Sequence, residues 1–183
     1  MRLFGSVPIK SSVVAGRIVE FVRAQNQDED GCRVWTESVK TILRDIGHEL
    51  GFDVLPGLSK MGIPFGEFLL DVVWYSEQGG IELGAESEWQ PSGVLEDFQK
   101  LVYVKAPVKV MIYWVESHAA SGKKILGEIV SYMEKYDKHI EGEEYLFVAF
   151  GRGRDDRCYL YVVPKDGANR SVSFLPLQLS RVA

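Results

Sequence analysis

The sequence predicts a three-layer α/β (α+β) domain, a mixed sheet flanked by helices on both faces. Three observations carry that expectation. The stretch APVKVMIYWV (106–115) is a nearly unbroken apolar run, the pattern of a central strand covered on both sides. Amphipathic segments at 91–104 and 121–139 bracket it. The segment FLLDVVWYSEQGGIELGAESEW (68–89) reads as two strands around a tight turn. The helix between that hairpin and strand 106–115 acts as a crossover, which makes the strands it joins parallel neighbours.

The elements follow in order. SSVVAGRIVEFVRAQ (11–25) places Val14, Ile18, Phe21 and Val22 at helical spacing. NQDEDG (26–31) is a polar break. WTESVKTILRDIGHELG (35–51) carries Val39, Ile42, Leu43, Ile46 and Leu50 on one stripe, with Gly51 as a stop signal. LPGLSKMGIP (55–64) reads as loop, followed by strand 67–75, turn 76–80 and strand 81–88. Segment 91–104 shows a Leu95/Phe98/Leu101/Val102 face, and 121–139 an Ile125/Leu126/Ile129/Val130/Met133/Tyr136 stripe. Strands are expected at 144–151 and 157–164, and SVSFLPLQL fits no single element.

The chain of 183 residues suits one domain, with 1–30 as a helical extension and 35–165 as the core. At 46% hydrophobic and 26% charged residues it has material for a real core, so neither disorder nor a disulfide scaffold is needed. A net charge of −5 speaks against a protein that coats nucleic acid, but acids that hold a metal lower the charge in the same way. Cys32 and Cys158 form no CxxC pair, which points to a reducing, cytoplasmic setting. No apolar run reaches ~18 residues, so no membrane span is expected. The apolar part of the first residues is too short for a signal peptide.

The hairpin holds an unusual group of acids. If Ser76 pairs with Ile81, Trp74 meets Leu83 and Val72 meets Ala85 on an apolar face. Tyr75/Glu82, Val73/Gly84 and Asp71/Glu86 then lie on the other, with Glu88 two residues further along. A one-residue slip would mix the faces. Asp71 and Glu86 would stand with Cβ atoms ~5 Å apart. Two carboxylates that close favour protonation of one, unless a cation lies between them. A wet hairpin face decorated with acids is the competing explanation.

These residues resemble the PD-(D/E)XK, restriction-endonuclease-like superfamily. Asp71 in LLDVVW matches its first acidic position and Glu86 in AESEW its second, with the helix and strand of 91–115 in the expected order. The resemblance covers roughly residues 35–115. It implies a restriction-endonuclease-like core, Mg²⁺ or Mn²⁺ as cofactor, and hydrolysis of DNA phosphodiester bonds. Asp71 and Glu86 would hold the metal, Glu88 would be a further ligand or the base, and a homodimer is one assembly open to it. The sequence departs from the family at Glu88, where a lysine is usual. Lys100 is the substitute on the next helix, one turn after Asp97, although at 100° per residue it lies roughly 160° from the apolar stripe, toward solvent. The family's helical acid would be Glu49, which flanks its stripe, rather than Glu37, which lies almost opposite. An inactive nuclease-like fold that serves as a binding or regulatory module is the alternative, favoured by the E-x-E departure.

Other chemistry is thinner. His48, His118 and His139 are scattered without zinc-site spacing. The loop GRGRDDR (151–157) offers Arg152, Arg154 and Arg157 as phosphate contacts, or simply a solvated tip. Cys158 sits in an apolar strand and reads as core.

Overall fold

A computed structural model describes residues 9–25, 32–58, 64–65, 69–77, 80–151, 156–164 and 172–178. In chain order these form α1 (Ser11–Gln25), α2 (Cys32–Glu49), β1 (Asp53–Leu55), β2 (Gly57–Leu58), β3 (Pro64–Phe65), β4 (Val72–Ser76) and β5 (Gly80–Glu88). Then come α3 (Val94–Tyr103), β6 (Val108–Val115), a π-helical turn (His118–Gly122) and α4 (Lys123–Lys135). The chain continues with β7 (Glu144–Gly151), β8 (Arg157–Val162) and β9 (Leu175–Pro176).

Among the described residues, seven strands form one sheet in the order β1-β4-β5-β6-β7-β8-β9, and β2 and β3 pair separately. β6 is the middle strand and runs parallel to both β5 and β7, as its apolar run and the crossover through α3 predict. The outer pairs are antiparallel, so the sheet is mixed.

Alternation of side chains splits the core in two. Val72, Trp74, Leu83, Ala85, Val110 and Ile112 pack with residues of α1 and α2. Val73, Met111, Tyr113 and Phe147 pack with Phe98, Leu101 and Val102 of α3 and Ile125, Ile129 and Met133 of α4. Helices therefore cover both faces, which is the three-layer arrangement. Gly47 lets α2 approach closely: a Cβ there would lie 2.6 Å from Val54 Cγ2 and 2.8 Å from Trp74 Nε1. Trp74, fully buried, donates its indole N–H to the Leu43 carbonyl at 2.9 Å. This contact fixes the height of α2 over β4.

Several expectations are corrected. The segment read as loop at 55–64 holds the last residue of the edge strand β1, which pairs with β4 through Val54↔Trp74, then β2 and the start of β3, which pair with each other. The hairpin keeps the expected pairs Val72↔Ala85, Val73↔Gly84 and Trp74↔Leu83, but the register then shifts to Tyr75↔Ile81 and Ser76↔Gly80. Glu82 is the extra residue of this bulge, so the expected Tyr75/Glu82 and Ser76/Ile81 pairs are not made. Gly80, at φ 78°, takes the left-handed conformation that the shortened turn requires. Strand β4 begins at Val72, not at residue 67, which leaves Asp71 in a bend just before it. Helix α4 is shorter than 121–139, ends at Lys135, and releases His139 from the helix.

The run 106–115 also hides a charge. Lys109 on β6 is 2% exposed. Its ammonium lies 3.0 Å from Glu143 Oε1 and donates to the Tyr145 hydroxyl at 2.9 Å. That hydroxyl lies 3.2 Å from Glu143 Oε2 and 3.1 Å from His139 Nδ1. His139 Nε2 faces the Met133 carbonyl at 3.1 Å. A carbonyl only accepts, so Nε2 carries a proton. Burial pushes the Lys109 ammonium below its ordinary range despite Glu143. Burial works to raise the Glu143 carboxyl, but contacts with His139 and Lys109 hold it below the usual range. Each charge in this network has a partner, the condition for burying it.

Candidate functional site

The acids of the hairpin meet at the C-terminal half of β5. Leu83 and Ala85 face the α1/α2 core, so alternation turns Gly84, Glu86 and Glu88 toward α3. Glu86 is 3% exposed, and its Oε1 is a buried atom with no hydrogen-bond partner. Asp53 Oδ1 and the Tyr113 hydroxyl are the other such atoms among the described residues; Glu86 alone belongs to the acids singled out from the sequence. Burial, then the negative charges of Asp71 and Asp97, push the Glu86 carboxyl up to about 8. At neutral pH it is therefore largely protonated.

Lys100 stands beside it. Its ammonium lies 3.4 Å from Glu86 Oε1, within ion-pair range but without hydrogen-bond geometry, and 2.6 Å from Asp97 Oδ1. The expectation that Lys100 points to solvent is corrected. Its helical phase does lie away from Phe98, Leu101 and Val102, which pack in the core, but the four-carbon stem carries the ammonium back to the sheet. The Lys100 ammonium is raised: burial opposes this, and bonding to Asp97 and the charge of Glu86 outweigh it.

Asp71 is held differently. Because it precedes the first paired residue of β4, it is not a ladder partner of Glu86. Its Oδ2 instead accepts from the Ser87 N–H at 2.9 Å and the Ser87 hydroxyl at 3.1 Å, and its Oδ1 lies 3.1 Å from the Lys40 ammonium. Lys40 comes from α2 and Lys100 from α3, helices on opposite faces of the sheet. The two carboxylates thus each take an ammonium from a different layer.

Glu88 turns away from this pair. Its Oε1 accepts from the Gln90 N–H at 2.6 Å, and a Cβ at Gly93 would lie 2.7 Å from its Oε2. Glu88 therefore lies against the turn that leads into α3. Its carboxyl is raised, first by burial and then by Asp97, against the pull of the Gln90 N–H. Just beyond it, Trp89 stacks on Trp114 with centroids 4.9 Å apart, tying together the ends of β5 and β6.

No known protein-family model matches the chain, and no curated protein is similar to it. What the site can do is therefore read from its own atoms.

Of the residues named from the sequence, Glu86 and Lys100 come together, and Asp71 lies near enough for its charge to raise the Glu86 carboxyl while its own partners are Ser87 and Lys40. Glu49 does not: it is exposed and pairs with Arg17 of α1. It sits at the seam between the first two helices, where the stripe of α2 meets α1. Arg152 and Arg154 lie outside the described residues; Arg157, the first residue of β8, is exposed. Cys158 is buried in the core, in keeping with the core assignment. No helix among the described residues is long and apolar enough to cross a membrane. Sequence reasoning missed Lys40 and Ser87. The first flanks the Val39/Leu43 stripe, a signal that was legible; the second is the middle residue of E-x-E, where nothing in the pattern asks for a hydroxyl.

The site also suits a hard cation. Among the described residues, no three His, Cys, Asp or Glu side chains converge on a single metal position. A magnesium-type site does not need three: one or two carboxylates, waters and a phosphate complete its octahedron. The oxygen donors of Asp71 and Glu86, one of them buried and unpartnered, are the right chemical kind.

Proposed function

We propose that this chain is a divalent-metal-dependent nuclease that hydrolyses phosphodiester bonds, with DNA as its substrate. The observation that carries the reading is Glu86. A buried carboxyl whose Oε1 has no hydrogen bond, its proton retained to about pH 8, is costly to keep. Such costs concentrate where a ligand repays them. The order of helix α2, antiparallel strands β1, β4 and β5, crossover α3 and parallel strand β6 supports a restriction-endonuclease-like core. Two cysteines without CxxC spacing agree with a cytoplasmic location.

In this reading Asp71 and Glu86 hold Mg²⁺ or Mn²⁺. Bound there, the ion would supply an activated water and a counter-charge for the phosphate. The protein's own groups do the rest. Ser87 fixes the Asp71 carboxylate through two hydrogen bonds. Lys100 takes the place of the lysine that Glu88 displaces, presenting an ammonium beside Glu86 for a phosphate oxygen. Glu88, engaged by Gln90, orders the entry to α3 rather than serving as a ligand.

Asp71→Asn tests this. The amide keeps the shape and the Ser87 contacts but removes the charge. Cleavage of DNA with Mg²⁺ or Mn²⁺ is expected to fall on the order of 100-fold or more, as when other single groups that stabilise transition-state charge are removed, with little change in unfolding. Undiminished cleavage would sink the assignment. Cation binding also requires Glu86 to give up its proton, so affinity for Mn²⁺ should rise between about pH 6 and about pH 9.

A second reading is a non-catalytic module built on a nuclease-like fold. The pairing of Asp71 with Lys40 and the Lys100 ammonium beside Glu86 favour it, since the protein's own ammoniums then stand where a metal would. A purified protein that binds no Mn²⁺ and cuts no nucleic acid would make it the better account.

A further inference from the structure

We propose that Asp97 is the positioning residue for Lys100, clamping its ammonium so that it faces the Glu86 carboxyl. This rests on the nuclease reading for its consequence but not for its geometry. Lysine on an exposed helix face is a flexible stem with many rotamers. Asp97 lies one turn earlier on α3 and takes the ammonium at 2.6 Å, while the contact to Glu86 Oε1 is longer, at 3.4 Å, and not aligned as a hydrogen bond. The tight bond sets the direction; the loose one leaves an ammonium proton available to a ligand.

The division of partners is set by distance. Glu86 Oε1 stands 3.4 Å from the ammonium without a hydrogen bond, whereas Asp97, at 2.6 Å, is the neighbour that binds it tightly. With Asp97 gone, Lys100 has two courses: to swing into solvent, or to close on Glu86 as a direct pair. Either removes the arrangement in which the ammonium stands beside Glu86 without being consumed by it. Asp97 also lies near Glu88, whose carboxyl it helps to raise, so the clamp is built into the turn at which β5 passes into α3.

The test is a double-mutant cycle on the full chain, with Asp97→Asn, Lys100→Met and the two combined. Single-turnover DNA cleavage is followed, and in parallel the Lys100 ammonium is observed by NMR at fixed pH without metal. In the wild-type background Asp97→Asn is expected to lower the single-turnover rate ~10- to 100-fold with little change in the half-saturating DNA concentration, the effect of misplacing a reacting group. In the Lys100→Met background it should add almost nothing, because the two residues act as a unit. The NMR arm reads the clamp without activity: Asp97→Asn should make the Lys100 ammonium more mobile, toward the behaviour of a free lysine. Equal losses of rate in both backgrounds, or a Lys100 ammonium as ordered in Asp97→Asn as in the wild type, would overturn the positioning role and leave Asp97 as a nearby charge. A wild-type protein that cleaves nothing would remove the nuclease reading, and the Lys100 signal would still decide the clamp.

Discussion

Near pH 9 the Glu86→Gln protein is expected to unfold at a higher urea concentration than the wild type while cleaving no DNA. The sign follows from the direction of the shift. The Glu86 carboxyl, ordinarily at 4.5, is pushed to about 8 in the folded chain by burial and by Asp71 and Asp97. Below the ordinary value both states hold the proton, and Glu86 adds no pH dependence. Between the two values the unfolded chain gives up its proton first, so each pH unit removes ~1.4 kcal/mol of stability. Above about 8 the loss is complete, on the order of 5 kcal/mol. Glutamine has no proton to lose, so the variant's stability does not fall through this window. Small domains are stable by only ~5–15 kcal/mol, which makes the difference easy to measure by denaturation across pH. Superimposable pH curves for the two proteins would show that Glu86 is not held protonated. A gain in stability with a loss of activity is the pattern of a group kept for function at a structural cost.

Lys109→Met should have the opposite effect, destabilising the protein by ~3–5 kcal/mol, the cost of breaking a buried ion pair from one side. The side chains of Lys109 and Glu143 are 1% and 5% exposed, so neither has water to fall back on. Removing the ammonium leaves Glu143 with neutral donors, the Tyr145 hydroxyl and the Ile140 backbone, and with His139 nearby. The loss should deepen as pH rises, because the carboxylate then has to ionise without its counter-charge. Adding Glu143→Gln should restore most of the stability, since a neutral amide keeps a hydrogen-bonding group beside Tyr145 without a charge to compensate. Equilibrium denaturation of the two variants decides it: a double variant no more stable than Lys109→Met would mean that packing, not charge, carries the loss. The network lies on the N-terminal side of β6, with Lys109 opposite Gly84 two residues before Glu86 on β5, so this loss comes from the core and not from the candidate site.

Periodicity alone determined the layers. Alternation along Val72–Trp74 and Leu83–Ala85 sets which face of the hairpin is buried, and it requires no knowledge of distant residues. The stripe of α2 and the apolar run of β6 are local in the same sense, and so is the appearance of Asp71 and Glu86 near one another at the end of a hairpin. Tertiary structure decided the rest. The bulge at Glu82 depends on how the turn closes around Gly80, and β1 is a strand only because β4 is there to pair with it. The apolar pattern of β6 concealed the buried charge of Lys109, because its partner Glu143 is distant in sequence and is brought in by the register of β6 on β7. The direction of Lys100 was misjudged because helical phase places a Cβ, whereas the end of a lysine is placed by whatever acids stand within reach of its stem. Here those are Asp97 and the buried Glu86. Lys40 and Ser87 gained their roles only when α2 was laid across the sheet and Asp71 fell just outside its first rung. Sequence periodicity records which face a residue occupies; which charges meet is a matter of distances of a few ångströms between separate layers, and only the packed chain sets those.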